Sequence, residues 1–236
     1  MTTLAYGTIH NLADERFVCG PCAEVLGVDL TREPQWAAFQ DIFNHLQQDQ
    51  YMSDGGTYRQ RRFGRFTFDA RRDELELQPH GPYTQPKYFN PLNGGLERHF
   101  APLTANIVAN PVFQRILQLL GRGYSAVEAV SSWKINTYFN RIIARSDEIG
   151  KPVPEGMHRD GVKFSCLFMA QRASCNGGET SLIDLITHQP VFKGTLDQPA
   201  KCILFRDDTV LHDTTPIVPV TKRKIGYRDV LVVEFY

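Results

Sequence analysis

The chain has 236 residues, and its 26 lysines and arginines balance 26 aspartates and glutamates, so the formal net charge at pH 7 is zero. A neutral chain has no global field that attracts nucleic acid or an anionic membrane, so we expect neither as a partner and favour a small neutral or zwitterionic ligand. Five cysteines, an odd number, favour reduced thiols over a disulfide framework. No apolar stretch approaches the roughly 18 residues that span a bilayer, and no leader pattern opens the chain. We therefore expect a cytoplasmic protein.

The first motif that suggests chemistry is Cys19-Gly-Pro-Cys22. A C-x-x-C pair supports redox chemistry when a strand leads into it and a helix follows. No apolar run precedes this pair and no βαβ pattern follows it. Ordinary reduced thiols are the favoured interpretation, and a redox role is the alternative.

A helical period follows between Thr31 and Gln50. Its apolar residues recur at spacings of three and four, in the order Trp36, Phe39, Phe43 and Leu46. Thr31 suits a helix cap and Pro34 a first turn. The pattern predicts an amphipathic helix that ends near Gln50.

The turn Asp54-Gly55-Gly56 leads into residues 58–68, whose aromatic residues predict a strand. Several arginines cluster in and after this strand: Arg59, Arg61, Arg62, Arg65, Arg71 and Arg72. We favour a solvated face whose charges are paired locally with nearby aspartates and glutamates. Nucleic-acid binding and an arginine that grips a substrate carboxylate remain as alternatives.

Residues 78–102 hold five prolines and three glycines and show no sustained period. A loop of this length inside one domain is usually functional or disordered, and its four aromatic residues indicate a packed segment. We interpret it as a cover for an active site. His80 and His99 lie in it without a second ligand at metal spacing, so we expect them to be structural or exposed.

A second helix is predicted from Asn110 as cap and Pro111 at the first position, with Gly121 just past its end. After it the helical period disappears, and short β-like runs follow at 131–143, 162–172, 180–186, 201–206, 209–218 and 226–236. The fold class is therefore α+β, mainly β, with N-terminal helices packed on a jelly roll, a cupin-like double-stranded β-helix. We expect a single domain over residues 1–236, with a helical and loop-rich part at 1–125 and the jelly-roll core at 126–236.

The strongest chemical signal is His158-Arg159-Asp160, which follows a proline-rich loop. Side chains two residues apart leave an extended strand on the same face, and a second imidazole from another strand would complete a three-point metal site. His212, 52 residues beyond Asp160, lies near another predicted strand start and could supply it. Two imidazoles and one carboxylate are the ligand set of a non-haem iron(II) oxygenase. The bare H-x-D tripeptide is a weak signal, since a solvated loop also explains it.

Arg228, near the start of the last predicted strand, strengthens this interpretation. An oxygenase of this type needs a fixed cation near the metal to hold the far carboxylate of a dicarboxylic co-substrate, and the arginine fork suits that task. The alternative is a surface arginine paired with Asp229 or Glu234. Three further cations compete for the role in a predicted turn: Lys222, Arg223 and Lys224.

Five segments together resemble one known family. They are INTYFNRIIA (135–144), PEGMHRDG (154–161), GGETS (177–181), DDTVLHDTTPI (207–217) and GYRDVLVVEF (226–235). In this order and spacing they are similar to the bacterial iron(II)/2-oxoglutarate dioxygenases of the L-isoleucine 4-hydroxylase group, which act on free amino acids. Segments 58–66 and 90–100 extend the resemblance weakly into the first half.

The resemblance implies three iron ligands, which are His158, Asp160 and His212. It implies Arg228 as the 2-oxoglutarate anchor and Arg141 as a second residue for the co-substrate or the substrate carboxylate. Arg141 departs from the family pattern, because two residues separate it from Tyr138 where adjacent Tyr and Arg are expected. Asp213 beside His212 is a further candidate, as a carboxylate that orients the histidine, and its alternative is a solvent-facing carboxylate. Glu179 after the double glycine could bind a substrate ammonium, and its alternative is the stabilisation of a turn.

The implied activity is hydroxylation of an aliphatic C–H bond of a free L-amino acid such as isoleucine, leucine or methionine. The reaction would require Fe(II), 2-oxoglutarate and O2 and would yield succinate and CO2 as co-products. Ascorbate would stimulate it. A homodimer is one option for the oligomeric state. Two alternatives stay open. One is a 2-oxoglutarate dioxygenase that acts on another target, such as a cyclic amino acid, a protein side chain or an alkylated base. The other is a non-catalytic barrel with a structural zinc, against which the missing fourth ligand argues.

Overall fold

The computed structural model describes residues 7–90, 92 and 94–236. The first six residues of the helical and loop-rich part, and positions 91 and 93 of the predicted covering loop, therefore lie outside the described residues. The helices are α1 (Cys22–Val25), α2 (Trp36–Asp41), α3 (Ala105–Val108) and α4 (Pro111–Glu128). None of the helices in the described ranges is long and apolar enough to cross a bilayer.

Strands make up most of the regular structure. They are β1 (Phe17–Pro21), β2 (Gln47–Gln48), β3 (Arg59–Asp69), β4 (Glu74–Leu77), β5 (Ser132–Ala144), β6 (Phe164–Ala173), β7 (Cys175–Gly177), β8 (Glu179–Asp184), β9 (Pro190–Thr195), β10 (Lys201–Arg206), β11 (Val210–Thr214), β12 (Ile217–Pro219) and β13 (Gly226–Phe235). Their pairs are antiparallel.

The strands form a large sheet and a smaller layer that faces it. The large sheet has the order β1-β10-β6-β13-β5-β3-β2, with β4 paired to β3. The smaller layer contains β11-β8-β9 and the pair β12-β7. After β6 the chain alternates between the layers, since β8, β9 and β11 lie in one and β10 and β13 in the other. This mainly β, antiparallel arrangement is consistent with the predicted jelly roll.

Strand β13 shows how one sequence pattern serves both faces of the large sheet. Val230 and Val232 face the smaller layer and line a cavity between the layers. Leu231 and Val233 point the other way, into the main hydrophobic core. Because both faces are covered, the strand reads as an apolar run without the alternation of a half-exposed strand.

The main core lies between the large sheet and the N-terminal elements. The Phe113 ring of α4 lies 5.0 Å from the Phe139 ring of β5, measured between centroids. The Phe39 ring of α2 lies 6.1 Å from Phe139 and 6.2 Å from Phe168 of β6. These aromatic contacts cover the sheet face that lies away from the cavity.

The predicted helix between Thr31 and Gln50 is wrong in its extent. Helix α2 ends at Asp41, a 3-10 turn follows at Ile42–His45, and Gln47–Gln48 then form β2. The backbone of Gln47 pairs with that of Arg61 in β3, and this pairing replaces a continuation of the helix. The cap of the short 3-10 turn at Leu30–Arg32 is Asp29, which accepts a hydrogen bond from the Thr31 N–H at 3.2 Å.

The second predicted helix begins where expected but extends further. The Asn110 side chain accepts a hydrogen bond from the Phe113 N–H at 3.0 Å, which confirms the cap. Helix α4 continues through Gly121 to Glu128 and ends at Ala129, whose φ is 55°. A β-carbon at Gly121 would overlap the Phe68 ring. The glycine therefore permits close packing of helix on sheet and does not act as a stop signal.

The six predicted β-like runs all contain strands, but five strands were missed, which are β1, β2, β4, β7 and β9. Strand β1 contains Cys19 and Pro21, and among the described strands it pairs with β10 alone, at the edge of the large sheet. Proline is tolerated on an edge strand because an N–H group on the outer side would have no neighbouring strand to which it could donate. The expectation that no strand leads into the Cys19–Cys22 motif is therefore wrong, since β1 runs into it and α1 begins at Cys22.

Candidate metal centre and cavity

The two halves of the proposed metal site meet through their backbones. The His158 N–H donates to the His212 carbonyl oxygen at 3.0 Å, and the His212 N–H donates to the His158 carbonyl oxygen at 2.7 Å. This antiparallel bridge joins the loop between β5 and β6 to strand β11. It places the two imidazoles side by side, with ring centroids 4.3 Å apart.

Asp160 completes the cluster. One carboxylate oxygen lies 3.4 Å from His158 Nε2 and the other lies 3.6 Å from His212 Nε2. Ligand atoms of the three residues lie within 4.8 Å of one another, so the group could hold a metal ion. Metal bonds of about 2.1 Å to each atom require ligand separations of this order.

Without a metal ion the cluster holds a proton on His158, which a metal ion would displace on binding. Burial alone would raise the pKa of Asp160, but the two histidines outweigh it and lower that pKa to about 2. Burial and the neighbouring His158 lower the pKa of His212 to about 4, so its imidazole is neutral. Burial opposes a charge on His158, but Asp160 raises its pKa to about 9. The cluster thus holds a cation against an ionised carboxylate, and two imidazoles with one carboxylate suit iron(II).

Sequence reasoning missed the residue that organises this loop, Asp207. Its carboxylate accepts hydrogen bonds from the backbone N–H groups of Asp160 at 2.9 Å, Gly161 at 2.8 Å and Val162 at 3.1 Å. One of its oxygens also lies 3.7 Å from His212 Nδ1. Asp207 is fully buried. The sequence shows it only as part of a polar turn, so no local signal distinguishes it from Asp208.

Asp213, the carboxylate proposed from the sequence to orient His212, lies on the other face of β11. Its carboxylate accepts a hydrogen bond from the Thr214 N–H at 2.7 Å. Successive side chains of a strand point in opposite directions, so Asp213 cannot share the cavity face with His212. Asp207 occupies the position near the ring that Asp213 was expected to fill.

Arg228 is the second fixed charge of the cavity. Its side chain lines the same cavity as the three candidate metal ligands and is 4% exposed. Its Nε and Nη2 atoms are buried and have no hydrogen-bond partner among the described residues. Burial and Arg172 lower its pKa to about 10, so it remains charged at neutral pH. A buried guanidinium with unpaired N–H groups demands an anion.

The competing cations are not placed near this cavity. Lys222, Arg223 and Lys224 are exposed in the turn before β13. Glu179, the candidate for a substrate ammonium, forms an ion pair with Lys193 at 3.0 Å and does not line the cavity.

The structure does not bring Arg141 to the cavity, which corrects the expectation from the resemblance. Asn140 and Ile142 of β5 line the cavity, so Arg141 between them points to the opposite face. There its Nε and Nη2 atoms donate to the two carboxylate oxygens of Asp229, each at 2.7 Å. Its bidentate partner is thus a buried residue of the protein and not a ligand.

The arginine cluster of β3 divides between two faces. Arg59 and Arg61 are buried and line the cavity, where both lie against Asp49. Arg62 points outward and donates to the carbonyl oxygens of His45 and Pro102. The favoured prediction of a solvated face is therefore wrong for Arg59 and Arg61.

Residues of the predicted covering loop form one wall of the cavity. Tyr83 and Arg98 form an isolated antiparallel bridge, with both N–H to carbonyl distances at 2.9 Å. Tyr83 and Phe100 pack against Phe63 and Tyr138 of the large sheet. His80 and His99 do not line the cavity. The loop is thus packed against the site, as its aromatic content indicated.

The thiols of Cys19 and Cys22 are not activated. Burial raises the pKa of both above the ordinary value of 9.0. The thiolate is the reactive form, so a raised pKa disfavours the redox alternative and agrees with reduced thiols.

Comparison with known proteins identifies the family to which this chain is similar. The model of the 2OG-Fe dioxygenase family matches residues 40–234. The 3(1)-hydroxy-L-isoleucine 4-dioxygenase of Pantoea ananatis (strain AJ13355) is 27% identical over 165 residues, which cover 69% of this chain and 66% of that protein. The match therefore spans just under two thirds of the length of this curated relative.

Two solved structures share the fold over nearly the whole chain. The crystal structure of a bsmA homologue from Methylobium petroleophilum PM1 has a TM-score of 0.86 and 32% identity, and the match covers 97% of this chain and 91% of that one. The crystal structure of IDO from Bacillus thuringiensis has a TM-score of 0.77 and 17% identity, with coverage of 97% and 93%. The family match and the curated relative confirm the resemblance inferred from the five segments.

Proposed function

Since the chain belongs to the 2OG-Fe dioxygenase family, we propose that it hydroxylates an aliphatic C–H bond of a free L-amino acid similar to isoleucine, leucine or methionine. 2-Oxoglutarate and O2 are the co-substrates, and succinate and CO2 the co-products. One observation carries the proposal. A single cavity contains a cluster of two histidines and one carboxylate, and it also contains a buried arginine with unpaired N–H groups.

The metal centre in this proposal consists of His158, Asp160 and His212. Iron(II), when bound there, supplies the activation of O2 that is coupled to the decarboxylation of 2-oxoglutarate. The three side chains would hold the ion, and the cavity they line would leave room for the co-substrates. Asp207 holds the loop that carries Asp160, so the ligand geometry is set before the ion binds.

Arg228 anchors the co-substrate. Its fork can pair both oxygens of the far carboxylate of 2-oxoglutarate, and burial strengthens that pairing because no water competes. Gly178, with φ 76°, supports this position, since its backbone approaches the arginine and a β-carbon there would lie 3.3 Å from Arg228 Cδ. The co-substrate is thereby oriented towards the histidines.

Two features support a free amino acid as the substrate. The named reaction of the Pantoea ananatis relative is on an isoleucine derivative. The cavity lining also contains both acidic and basic groups, such as Glu155 on the loop that carries His158 and Arg98 on the covering loop. A zwitterion satisfies both charges, whereas a hydrocarbon leaves them unpaired.

A second candidate is an amino acid that already carries a hydroxyl group. Asn140 lines the cavity, and its Oδ1 atom is buried without a hydrogen-bond partner in the described part of the chain. A substrate hydroxyl could donate to it, because such an acceptor is costly to leave unpaired. The name of the Pantoea ananatis relative also specifies a hydroxylated isoleucine.

The test is to load the protein anaerobically with Fe(II) and 2-oxoglutarate, to admit O2, and to measure succinate with a panel of free L-amino acids. The panel contains isoleucine, leucine and methionine, a hydroxylated isoleucine, and proline as a cyclic amino acid. We expect one or more members to stimulate succinate formation and to gain one oxygen atom in mass.

The His212→Ala variant should abolish this turnover, and the His10→Ala variant, which changes an exposed histidine, should retain it. If no amino acid stimulates succinate formation, the proposed substrate class is wrong. If turnover survives in His212→Ala, the metal assignment is wrong.

A further inference from the structure

A group of three buried guanidinium groups lies on the cavity wall formed by β3 and the covering loop. Arg59, Arg61 and Arg98 are 4%, 8% and 3% exposed. All three line the cavity that contains the candidate metal ligands. Neither the metal centre nor the 2-oxoglutarate anchor uses them, so their burial needs a separate explanation.

Two of these three cations share a single carboxylate. Asp49 Oδ2 lies 2.8 Å from Arg59 Nε and 3.0 Å from Arg61 Nε, and only the contact to Arg59 has hydrogen-bonding geometry. No carboxylate of the described residues lies within 4.0 Å of Arg98, whose Nη2 donates to the Gln85 side-chain oxygen at 3.3 Å. The group therefore carries surplus positive charge in a buried position, which is costly unless an anion enters.

The unpaired donors belong to the two arginines next to the cover. Arg98 Nε is buried and lacks a hydrogen-bond partner among the described residues, and Arg61 Nε, although 3.0 Å from Asp49 Oδ2, makes no hydrogen bond either. An arginine that is more than nine-tenths buried and lines a cavity with an unused N–H is a built anion site, since the guanidinium cannot discharge by losing its proton.

Aromatic rings hold both guanidinium groups in place. Arg61 Cζ lies 4.6 Å from the centroid of the Phe100 ring, and Arg98 Cζ lies 4.8 Å from that of Tyr83 and 5.5 Å from that of Phe100. Stacking of this kind stabilises the charge and fixes the plane of the fork. The N–H edges are thus oriented before any ligand arrives, which lowers the entropic cost of binding.

This site is separate from Arg228. In the register of the large sheet, Arg228 of β13 lies opposite Ile142 of β5, which lies opposite Arg59 of β3, and Arg61 is two residues further along β3. Two strand spacings of about 4.8 Å and a step of about 7 Å put the Cα atoms of Arg228 and Arg61 roughly 12 Å apart. A carboxylate bound at Arg228 therefore leaves Arg61 and Arg98 available for a second one.

From this surplus of buried donors we propose that Arg61 and Arg98 form a clamp for the α-carboxylate of the amino-acid substrate. The proposal rests on the proposed function and deepens it. Binding the carboxylate on this wall leaves the aliphatic side chain free to extend towards His158, Asp160 and His212, which line the same cavity. Asp49 acts as the internal counter-ion that fixes Arg59 and Arg61.

The clamp is tested by binding, measured by anaerobic titration calorimetry on the protein loaded with Fe(II) and 2-oxoglutarate. The probes are L-isoleucine, L-leucine and L-methionine, each compared with its α-carboxamide, which lacks the negative charge. The variants are Arg61→Met and Arg98→Met, with Arg98→Lys as the conservative change. Arg62→Met is the matched control, because Arg62 lies on the same strand with its side chain on the outer face.

We expect the wild-type protein to bind an acid probe about 10- to 100-fold more tightly than its amide, the range for hydrogen bonds to a charged group. Arg61→Met and Arg98→Met should each lose about this factor for the acid and little for the amide. Arg98→Lys should recover part of the loss, and Arg62→Met should behave as wild type. The affinity for 2-oxoglutarate should stay unchanged in all four variants.

Equal loss for acid and amide, or no loss in either clamp variant, overturns the clamp while leaving the proposed function intact. If the wild-type protein binds 2-oxoglutarate but none of the amino acids, the proposed function fails and the clamp fails with it. Thermal melting shows whether a variant is folded. If a clamp variant is unfolded, the clamp is judged from the wild-type protein, by whether it binds the acid probes more tightly than the amides.

Discussion

The Asp207 carboxylate accepts hydrogen bonds from the backbone N–H groups of the metal loop, starting with that of Asp160 at 2.9 Å. It does so from a fully buried position next to the His212 ring. A single carboxylate thus connects the two halves of the candidate metal site, Asp160 and His212, which are 52 residues apart in the chain.

Asp207→Asn should weaken metal binding by about 10- to 100-fold, the usual effect of losing a group that orients metal ligands. The amide oxygen can accept hydrogen bonds, but the amide nitrogen cannot accept those from Gly161 and Val162. Competition with a chelator under anaerobic conditions measures the Fe(II) affinity. Asp208→Asn is the matched control, since Asp208 pairs with Lys163 outside the cavity. Equal affinities in the two variants would contradict the role of Asp207.

Arg228→Met should weaken 2-oxoglutarate binding by about 10- to 100-fold, because charge-assisted hydrogen bonds contribute about 1.5–3 kcal/mol. The Fe(II) affinity should be unchanged, since Arg228 makes no contact with the three candidate ligands. Arg223→Met removes an exposed cation of the preceding turn and should have no effect. A loss of 2-oxoglutarate affinity in Arg223→Met but not in Arg228→Met would move the anchor to the turn.

Arg141→Met should destabilise the protein by about 3–5 kcal/mol, the usual effect of leaving one partner of a buried ion pair alone. The orphaned partner is Asp229, which is fully buried. The affinity for 2-oxoglutarate should remain at the wild-type value. Chemical denaturation measures the first quantity and calorimetry the second. Restored stability in the double variant Arg141→Met with Asp229→Asn would confirm the cause, whereas a selective loss of 2-oxoglutarate binding would return Arg141 to the active site.

Stability should decrease at acidic pH in part through Asp49. Burial alone would raise the pKa of Asp49, but Arg61 and Arg59 hold it below its ordinary value of 3.8. A carboxyl group with a lowered folded pKa stabilises the protein above its unfolded pKa, and this contribution is lost as the pH falls through the folded value. Asp49→Asn should therefore destabilise the protein at pH 7 and approach wild-type stability below about pH 4.

The measurement for Asp49 is the free energy of unfolding as a function of pH for the wild type and the variant. Asp147→Asn, which changes an exposed aspartate, serves as the control. A stability difference between Asp49→Asn and the wild type that is the same at pH 7 and pH 3 would show that the ionised carboxylate contributes nothing.

Gly121→Ala should destabilise the protein although alanine is the better helix former by about 1 kcal/mol. Its β-carbon would overlap the Phe68 ring, and overpacking of this kind costs typically about 1–3 kcal/mol. Gln118→Ala in the same helix controls for helix propensity. Phe68→Leu combined with Gly121→Ala should recover part of the loss. A stabilised Gly121→Ala variant would show that the helix can move off the sheet at little cost.

The sequence by itself was sufficient for the parts of this protein that depend on local pattern. The spacing of His158 and Asp160 puts both side chains on one side of an extended segment whatever surrounds them. The apolar runs predicted β5, β6, β8, β10, β11 and β13, because alternation and flanking turns are local properties. Arg228 could be singled out because its place near the start of the last strand follows from the same pattern.

Only the tertiary structure decided which charged residues face the cavity. Arg61 and Arg141 are both arginines on neighbouring strands, yet one lines the cavity and the other is neutralised by Asp229 on the opposite face. A shift of one residue reverses the facing of a strand residue, and the register is set by pairing with distant strands. Asp207 was invisible for the same reason, since its three backbone donors come from a loop more than forty residues away. The candidate metal ligands were reached from the His158–Asp160 spacing and the family resemblance, whereas the residues that orient them and the proposed carboxylate clamp depend on how the sheets are assembled.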